Sequence, residues 1–172
     1  MVQIGDIHIG KTAAAGNPQV SLAEAQILWD FLLARYRCIE ETQILQHLAH
    51  DPDFKFFIVR EMDNTLKRQA NELEKELNKI GLPLPKRPPK YVSDAVGSPD
   101  VFTDEYLFNQ LYIGCGTYFD QLASAVKGLR NNDTLRKRFM KYLEREMEIY
   151  DNLIKFGKLK GWLDVPPMYN PH

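Results

Sequence analysis

The residues most suggestive of chemistry form a phosphate-loop pattern near the N-terminus. Residues 5–12 read Gly-Asp-Ile-His-Ile-Gly-Lys-Thr, which matches a glycine, four further residues and Gly-Lys-Thr. In such a loop backbone N–H groups surround phosphates, the lysine binds phosphate and the threonine binds a metal ion. The motif works between a buried strand and a long helix, whereas here only residues 1–4 precede it and Gly16 and Pro18 soon follow. We therefore interpret residues 1–20 as an N-terminal arm and keep nucleotide binding at residues 5–12 as an alternative.

A second set of residues could bind metal at the centre of a helical bundle. A carboxylate-bridged di-metal site takes a glutamate from each of two helices and a Glu-x-x-His pair from each of the other two. The chain has four histidines and no Glu-x-x-His pair. The candidate ligands are His47 and His50, which are three residues apart, together with Glu61 and Glu146. The other carboxylates that the helical spacing turns inward are Glu40 or Glu41 and Asp120. Without the histidine pairs we expect no metal, no cofactor and no catalytic residues.

Polar side chains also lie among the apolar positions of the first helix. Arg35 and Thr42 are the clearest cases. A buried arginine needs partners for its charge and its hydrogen bonds. The pattern predicts a satisfied polar network, in which any of the inward carboxylates, Glu40 or Glu41, Glu61, Asp120 and Glu146, could pair with a core arginine such as Arg35. A small-ligand pocket is the alternative.

The two cysteines, Cys38 and Cys115, each lie on an apolar helix face. A free cysteine commonly behaves as a small buried hydrophobic residue. The sequence has no Cys-x-x-Cys motif, and it offers no set of cysteine or serine with histidine and a third residue for nucleophilic catalysis. Two cysteines are also too few for a disulfide scaffold, so we expect a reducing compartment.

The overall composition is that of an ordinary globular domain. The chain has 172 residues, of which 44% are apolar and 26% are charged, close to the averages for folded proteins. The formal net charge of -1 gives no reason to expect nucleic acid as a partner. The chain lacks the apolar stretch of about 18 residues that a membrane span requires, and its first twenty residues lack the apolar centre of a secretory signal. We expect a cytoplasmic protein.

Four segments show the apolar spacing of long helices. The first runs from about residue 21 to 49, and Ser21 with Glu24 forms a capping box at its start. The second runs from Pro52, behind the capping residue Asp51, to about residue 80. The third follows Thr103, and the fourth lies between the turn at 131–133 and residue 161. In the fourth helix the predicted core face is Leu135, Phe139, Leu143, Met147, Tyr150 and Ile154. In the third we expect Gly114 and Gly116 to allow the close approach of a neighbouring helix.

A long proline-rich connection separates the second helix from the third. Residues 81–102 contain five prolines, and an extended chain of that length spans roughly 68 Å. A helix of 28 residues is only about 42 Å long, so the connection can cross from one end of a bundle to the other. The sequence predicts an all-α, ferritin-like four-helix bundle with up-down-down-up topology. Residues 21–172 form its single domain, in which the apolar C-terminal tail packs on the bundle or on a neighbouring subunit.

Several short sequence features resemble those of a known family. They are Leu28-Trp29 in the first helix, Gly81-Leu82-Pro83-Leu84-Pro85, Phe102-Thr103-Asp104, Lys160-Gly161-Trp162 and Val165-Pro166-Pro167. Together they resemble an uncharacterised family of endospore-forming bacteria related to spore coat protein F, over residues 21–169. The resemblance implies a ferritin-like bundle and a place in sporulation, and it supplies no catalytic residues.

The sequence thus favours a structural or interaction protein of spore-coat type over an enzyme. We expect it to associate with itself or with other coat-type proteins, in the cytoplasm or the spore coat, and to bind neither nucleic acid nor membranes. The alternative is a ferritin-like metal-binding protein or oxidoreductase with a non-standard metal site.

Overall fold

A computed structural model gives the fold of residues 2–4, 7–9, 20–90 and 102–167. Its elements are β1 (Val2–Ile4), β2 (Ile7–Ile9), α1 (Leu22–Leu48), α2 (Pro52–Glu61), a π-helical segment (Met62–Leu66), α3 (Lys67–Lys79), α4 (Asp104–Gly128) and α5 (Asp133–Lys160). Because α2, the π segment and α3 follow one another without a break, the described chain contains the four long helices that the sequence predicts. The antiparallel pair β1–β2 was not predicted, since three-residue strands are too short to show a periodic pattern.

The helix ends form as their capping residues predict. Ser21 and Glu24 make the reciprocal capping box at the start of α1, and the Asp51 side chain accepts hydrogen bonds from two backbone amides at the start of α2. Gly81 and Gly161 follow the ends of α3 and α5 in left-handed conformation, with φ of 74° and 72°. Glycine reaches this conformation without the steric cost of a Cβ atom. Among the described residues, no helix is long and apolar enough to cross a membrane.

The π segment, Met62–Leu66, is an irregularity that the apolar pattern does not predict. Phe54, Ile58, Met62 and Leu66 follow one another at intervals of four residues, and all four are buried. Each step of four residues in an α-helix overshoots a full turn by about 40°, so the apolar stripe of a regular helix would rotate away from the core. The wider π turn takes up this excess and keeps Leu66 in the core.

Hydrogen bonds between helix ends show which ends lie together. The Glu24 carboxylate, at the start of α1, accepts from the backbone amides of Asn131 and Asn132 in the α4–α5 turn, at 3.0 and 2.9 Å. The Asp104 carboxylate, at the start of α4, accepts from the amides of His50 and Asp51 after α1, at 2.8 and 2.9 Å. The start of α4 therefore lies beside the end of α1, and the end of α4 lies beside the start of α1.

The α3–α4 connection consequently joins opposite ends of the helices. Near the start of α1, the Trp29 indole donates a hydrogen bond of 3.1 Å to the carbonyl of Pro83. Further along α1, Gln43 donates to the carbonyl of Lys90. At the far end, Lys160 of α5 binds Asp51 and Asp53 at 2.7 and 2.9 Å.

The buried face of α5 differs from the predicted one in its second half. Leu135 and Phe139 are buried as expected, but the face then continues as Tyr142, Glu146, Ile149 and Leu153. Met147, a predicted core residue, is 57% exposed. The predicted core face contained apolar residues only, whereas the buried face follows the phase of Glu146, the inward carboxylate whose ionic partner Arg35 lies across the bundle.

The close helix contacts also lie at glycines other than the predicted ones. A Cβ atom on Gly157 of α5 would lie 2.4 Å from the Phe108 ring, and one on Gly128 would lie 2.7 Å from Ile27. At Gly114 nothing lies within 4 Å, and at Gly116 the nearest atom, on Tyr150, is at an ordinary 3.5 Å. The expectation of close approach at Gly114 and Gly116 is therefore wrong.

Candidate functional site

A cavity of about 650 Å³ lies at the centre of the bundle. All four long helices contribute to its wall. The polar and sulfur-bearing side chains of its inner wall are Arg35, Cys38, Thr42, Glu61, Thr65, Cys115, Tyr118 and Glu146. On the α1–α4 side the wall includes the exposed residues Arg37, Glu41, Ile113 and Gly114, so the cavity reaches the surface between these two helices.

A buried ion pair crosses the bundle beside the cavity. Arg35 of α1 donates from a terminal nitrogen to Glu146 Oε2 of α5 at 2.7 Å, and the two residues are 1% and 4% exposed. The guanidinium carbon also lies 3.9 Å from the centre of the Tyr118 ring. Burial alone would lower the pKa of Arg35, but the negative charges that Tyr118 and Glu146 can carry raise it above its ordinary value. Arg35 thus remains a cation, and its Nε–H has no hydrogen-bond partner.

Glu61 is the second buried carboxylate of the cavity, and it also has an arginine partner. It lies at the junction of α2 and the π segment, where Arg145 of α5 donates to Oε2 at 2.8 Å. Thr65 donates to the same oxygen at 3.3 Å, and Arg60 donates to Oε1 at 3.2 Å. Both buried glutamates are therefore held by positive charge from within the protein.

The four candidate metal ligands are not brought together as one set. Glu61 and Glu146 both line the cavity, whereas His47 and His50 are exposed residues near the end of α1 and do not belong to the cavity wall. His50 donates its backbone amide to Asp104. Within the described ranges, no group of three or more histidine, cysteine or acidic side chains is placed to hold a metal ion.

Of the other carboxylates predicted to face inward, Glu40 and Asp120 do not line the cavity, whereas Glu41 lies on its exposed rim. Glu40, Glu41 and Asp120 are all exposed. Their helical phase is close to that of buried neighbours, but a carboxylate without a partner stays in water because its desolvation is costly.

Both cysteines line the cavity, and both are half-buried free thiols. Burial is the main reason why the pKa of Cys38 and that of Cys115 lie above the ordinary value. The thiolate is the nucleophilic form of cysteine, so the protein keeps these groups protonated and weakly reactive.

Thr65 and Gln69 are polar core residues that the sequence analysis did not single out. Both are fully buried, and neither amide atom of Gln69 has a hydrogen-bond partner. Their spacing of four residues, in phase with the apolar Met62 and Leu66, was a signal that could have identified them.

The phosphate-loop pattern adopts a different backbone where it is described. Residues 7–9 form strand β2, which pairs antiparallel with β1. Successive N–H groups of an extended strand point to opposite sides and cannot converge on a phosphate. The remaining motif positions, 5, 6 and 10–12, lie outside the described residues, as do residues 168–172 of the predicted tail.

Comparisons with known proteins extend these observations. The chain is similar to a solved structure, a "putative spore coat protein" from Bacillus halodurans C-125, with a TM-score of 0.80 and 20% sequence identity. The match covers 90% of this chain and all of the other, and at this identity it shows a shared fold. No curated protein matches the chain. A family of proteins of unknown function, DUF3231, matches residues 11–172, and the chain belongs to that family.

Proposed function

We propose that the protein is a structural component of spore-coat type that assembles with copies of itself through one end of its bundle. The fold shared with the Bacillus halodurans protein supports this proposal, as does the resemblance to the coat protein F relatives. In this proposal the protein is cytoplasmic, with the spore coat as its site of assembly.

The proposal includes a ferritin-like architecture with up-down-down-up topology. It is supported by the placement of the helix ends, because α4 starts where α1 ends and Lys160 at the end of α5 returns to Asp51. It is also supported by the Arg35–Glu146 contact, which joins two helices that run in the same direction across the bundle.

The observation that carries the assembly proposal is a concentration of exposed apolar side chains at one end. The described chain exposes nine large apolar side chains, and five of them lie at the end formed by the α1–α2 turn, the start of α4 and the end of α5. We call these five the end surface: Phe56, Phe102, Tyr106, Leu159 and Val165. Phe102 and Tyr106 stack at 5.4 Å, and Leu159 is 80% exposed. Exposed apolar patches on folded proteins commonly mark interaction sites.

The low net charge is compatible with self-association. With a formal charge of -1, two copies experience little long-range repulsion. Desolvation of the end surface then provides the driving force for association.

The experiment is to measure the molar mass of the purified protein by light scattering after size-exclusion chromatography, over a range of concentrations. We expect the wild type to form oligomers and Leu159→Glu to shift toward monomer, because the charge must be desolvated at the contact. The matched control is Leu22→Glu, since Leu22 is 89% exposed at the opposite end. A wild type that is monomeric at all concentrations, or equal effects of the two substitutions, would refute the assembly proposal.

Metal analysis of untagged protein separates this proposal from the metal-binding alternative. Because Glu61 and Glu146 are already paired with arginines, we expect the purified protein to contain no stoichiometric metal. Stoichiometric iron, manganese or zinc that is lost in Glu61→Ala or His47→Ala would favour the alternative instead.

A further inference from the structure

We propose that the central cavity binds a neutral, largely apolar small molecule. None of the residues that line the cavity belongs to the end surface, so this inference does not depend on the proposed assembly.

The size and access of the cavity suit a small organic ligand. Protein interiors normally pack with few voids larger than a water molecule, whereas this cavity of about 650 Å³ is within the usual range for small-molecule sites. Access is between α1 and α4, where Ile113 is 62% exposed and the Cα of Gly114 faces open space.

The inner wall is predominantly apolar. Phe57, Ile58, Leu66, Leu111 and Ile149 line it. Water in contact with such a wall is released when an apolar molecule enters, which favours binding.

The charges around the cavity indicate a neutral ligand. Arg35 is paired with Glu146, and Glu61 is paired with Arg145, so no excess charge remains to attract an ion. A ligand carboxylate at Arg35 would also be repelled by Glu146, and a ligand ammonium would compete with arginines that already hold both glutamates.

The π segment is an independent indication that this wall has a function. It carries Thr65 and Leu66, which line the cavity, and it follows directly after Glu61. Single π turns within α-helices occur frequently at functional sites.

The experiment uses Nile red, a neutral dye whose fluorescence increases in an apolar site. We expect saturable binding to the wild type, and binding of the anionic dye anilinonaphthalene sulfonate at the cavity to be at least about tenfold weaker. Gly114→Trp should abolish Nile red binding by filling the entrance, while the matched control Gly114→Ala should retain it. Because a Cβ atom on Gly114 would meet no atom within 4 Å, Gly114→Ala should fold, and Gln110→Trp on the same exposed rim replaces Gly114→Trp if that variant does not fold.

The two cysteines provide a second measurement that does not depend on dye fluorescence. Cys38 and Cys115 are the only cysteines of the chain and both line the cavity, so saturating Nile red should slow their modification by a thiol reagent severalfold.

Three results would overturn the proposal. They are an absence of Nile red binding to the wild type, equal binding to Gly114→Trp and Gly114→Ala, and binding that is lost only in Leu159→Glu. The last result would place the dye on the end surface.

Discussion

The buried pair of Arg35 and Glu146 allows a sharp test of how the bundle is stabilised. Glu146→Gln preserves the size of the side chain and removes the negative charge opposite Arg35. At 2.7 Å and an effective dielectric constant near 20, the Coulomb attraction is roughly 6 kcal/mol. Part of this attraction only offsets the desolvation of the two ions, and breaking a buried pair typically costs about 3–5 kcal/mol because one charge remains buried without its partner.

We therefore expect Glu146→Gln to lower the free energy of unfolding by about 3–5 kcal/mol. For a protein of this length, 1 kcal/mol corresponds to about 2–4 °C, so the melting temperature should fall by roughly 6–20 °C. Urea titration followed by circular dichroism measures the free energy, and a thermal scan gives the melting temperature.

Two further variants make this result interpretable. Arg35→Met combined with Glu146→Gln should be more stable than Glu146→Gln alone, because the unpaired cation is gone. Glu148→Gln is the control, since Glu148 of the same helix is well exposed and pairs with Arg145 at 2.9 Å, and it should change stability by less than about 0.5 kcal/mol. A loss below about 1 kcal/mol in Glu146→Gln, or a double variant less stable than the single one, would refute the reasoning.

Three other predictions concern packing, acid stability and the C-terminal tail. Gly157→Ala should destabilise the protein by about 1–3 kcal/mol because its Cβ would overlap the buried Phe108 ring, whereas Gly114→Ala should stabilise it by up to about 1 kcal/mol; urea titration compares the two. Burial raises the pKa of Glu24, but hydrogen bonds from Ser21, Asn132 and Asn131 outweigh it and hold the pKa below 4.5. Its contribution to stability is thus present above pH 4.5 and is lost as the pH falls through the folded-state value. Glu24→Gln should reduce the pH dependence of the melting temperature in that acidic range, and an unchanged dependence would contradict this. Trp162→Ala should cost about 3 kcal/mol, because the indole packs against Phe54, Phe108 and Phe156 at centroid distances of 5.7 to 6.0 Å; a melting temperature within a degree of wild type would be inconsistent with that packing.

The helix ends could be predicted from sequence because their signals are local. The capping box of Ser21 and Glu24 involves residues that are only three positions apart. Asp51 with Pro52 specifies the start of α2 almost alone, and Gly161 does the same for the end of α5. The sequence could not show that Glu24 also binds the α4–α5 turn, because that contact joins residues more than a hundred positions apart.

The departures from prediction have a common physical origin in tertiary contacts. Glu146 is buried because Arg35 lies opposite it. The side of α5 that packs in the core therefore includes a charged residue, and Met147 lies on the exposed side. The π segment similarly depends on keeping successive core residues in contact with neighbouring helices.

The candidate site was predicted only in part for the same reason. Glu61 and Glu146 do line the central cavity, as their helical phase indicates, while His47 lies outside its wall. Sequence spacing gives the face of a helix and indicates Arg35 as a partner for an inward carboxylate, but it gives neither the pairing of Glu61 with Arg145 nor the size of the space between the helices.

The carboxylates of Glu24 and Asp104 have a consequence for local motion. Glu24 binds the backbone amides of Asn131 and Asn132, and Asp104 binds the backbone amide of His50. Turn amides that would ordinarily exchange rapidly with deuterium are therefore held by the end of a distant helix. Because Glu24 also caps its own helix, fraying of the first turn of α1 and opening of the α4–α5 turn become a single event. These amides should therefore exchange together, as one cooperative unit whose opening free energy lies well above that of isolated turns.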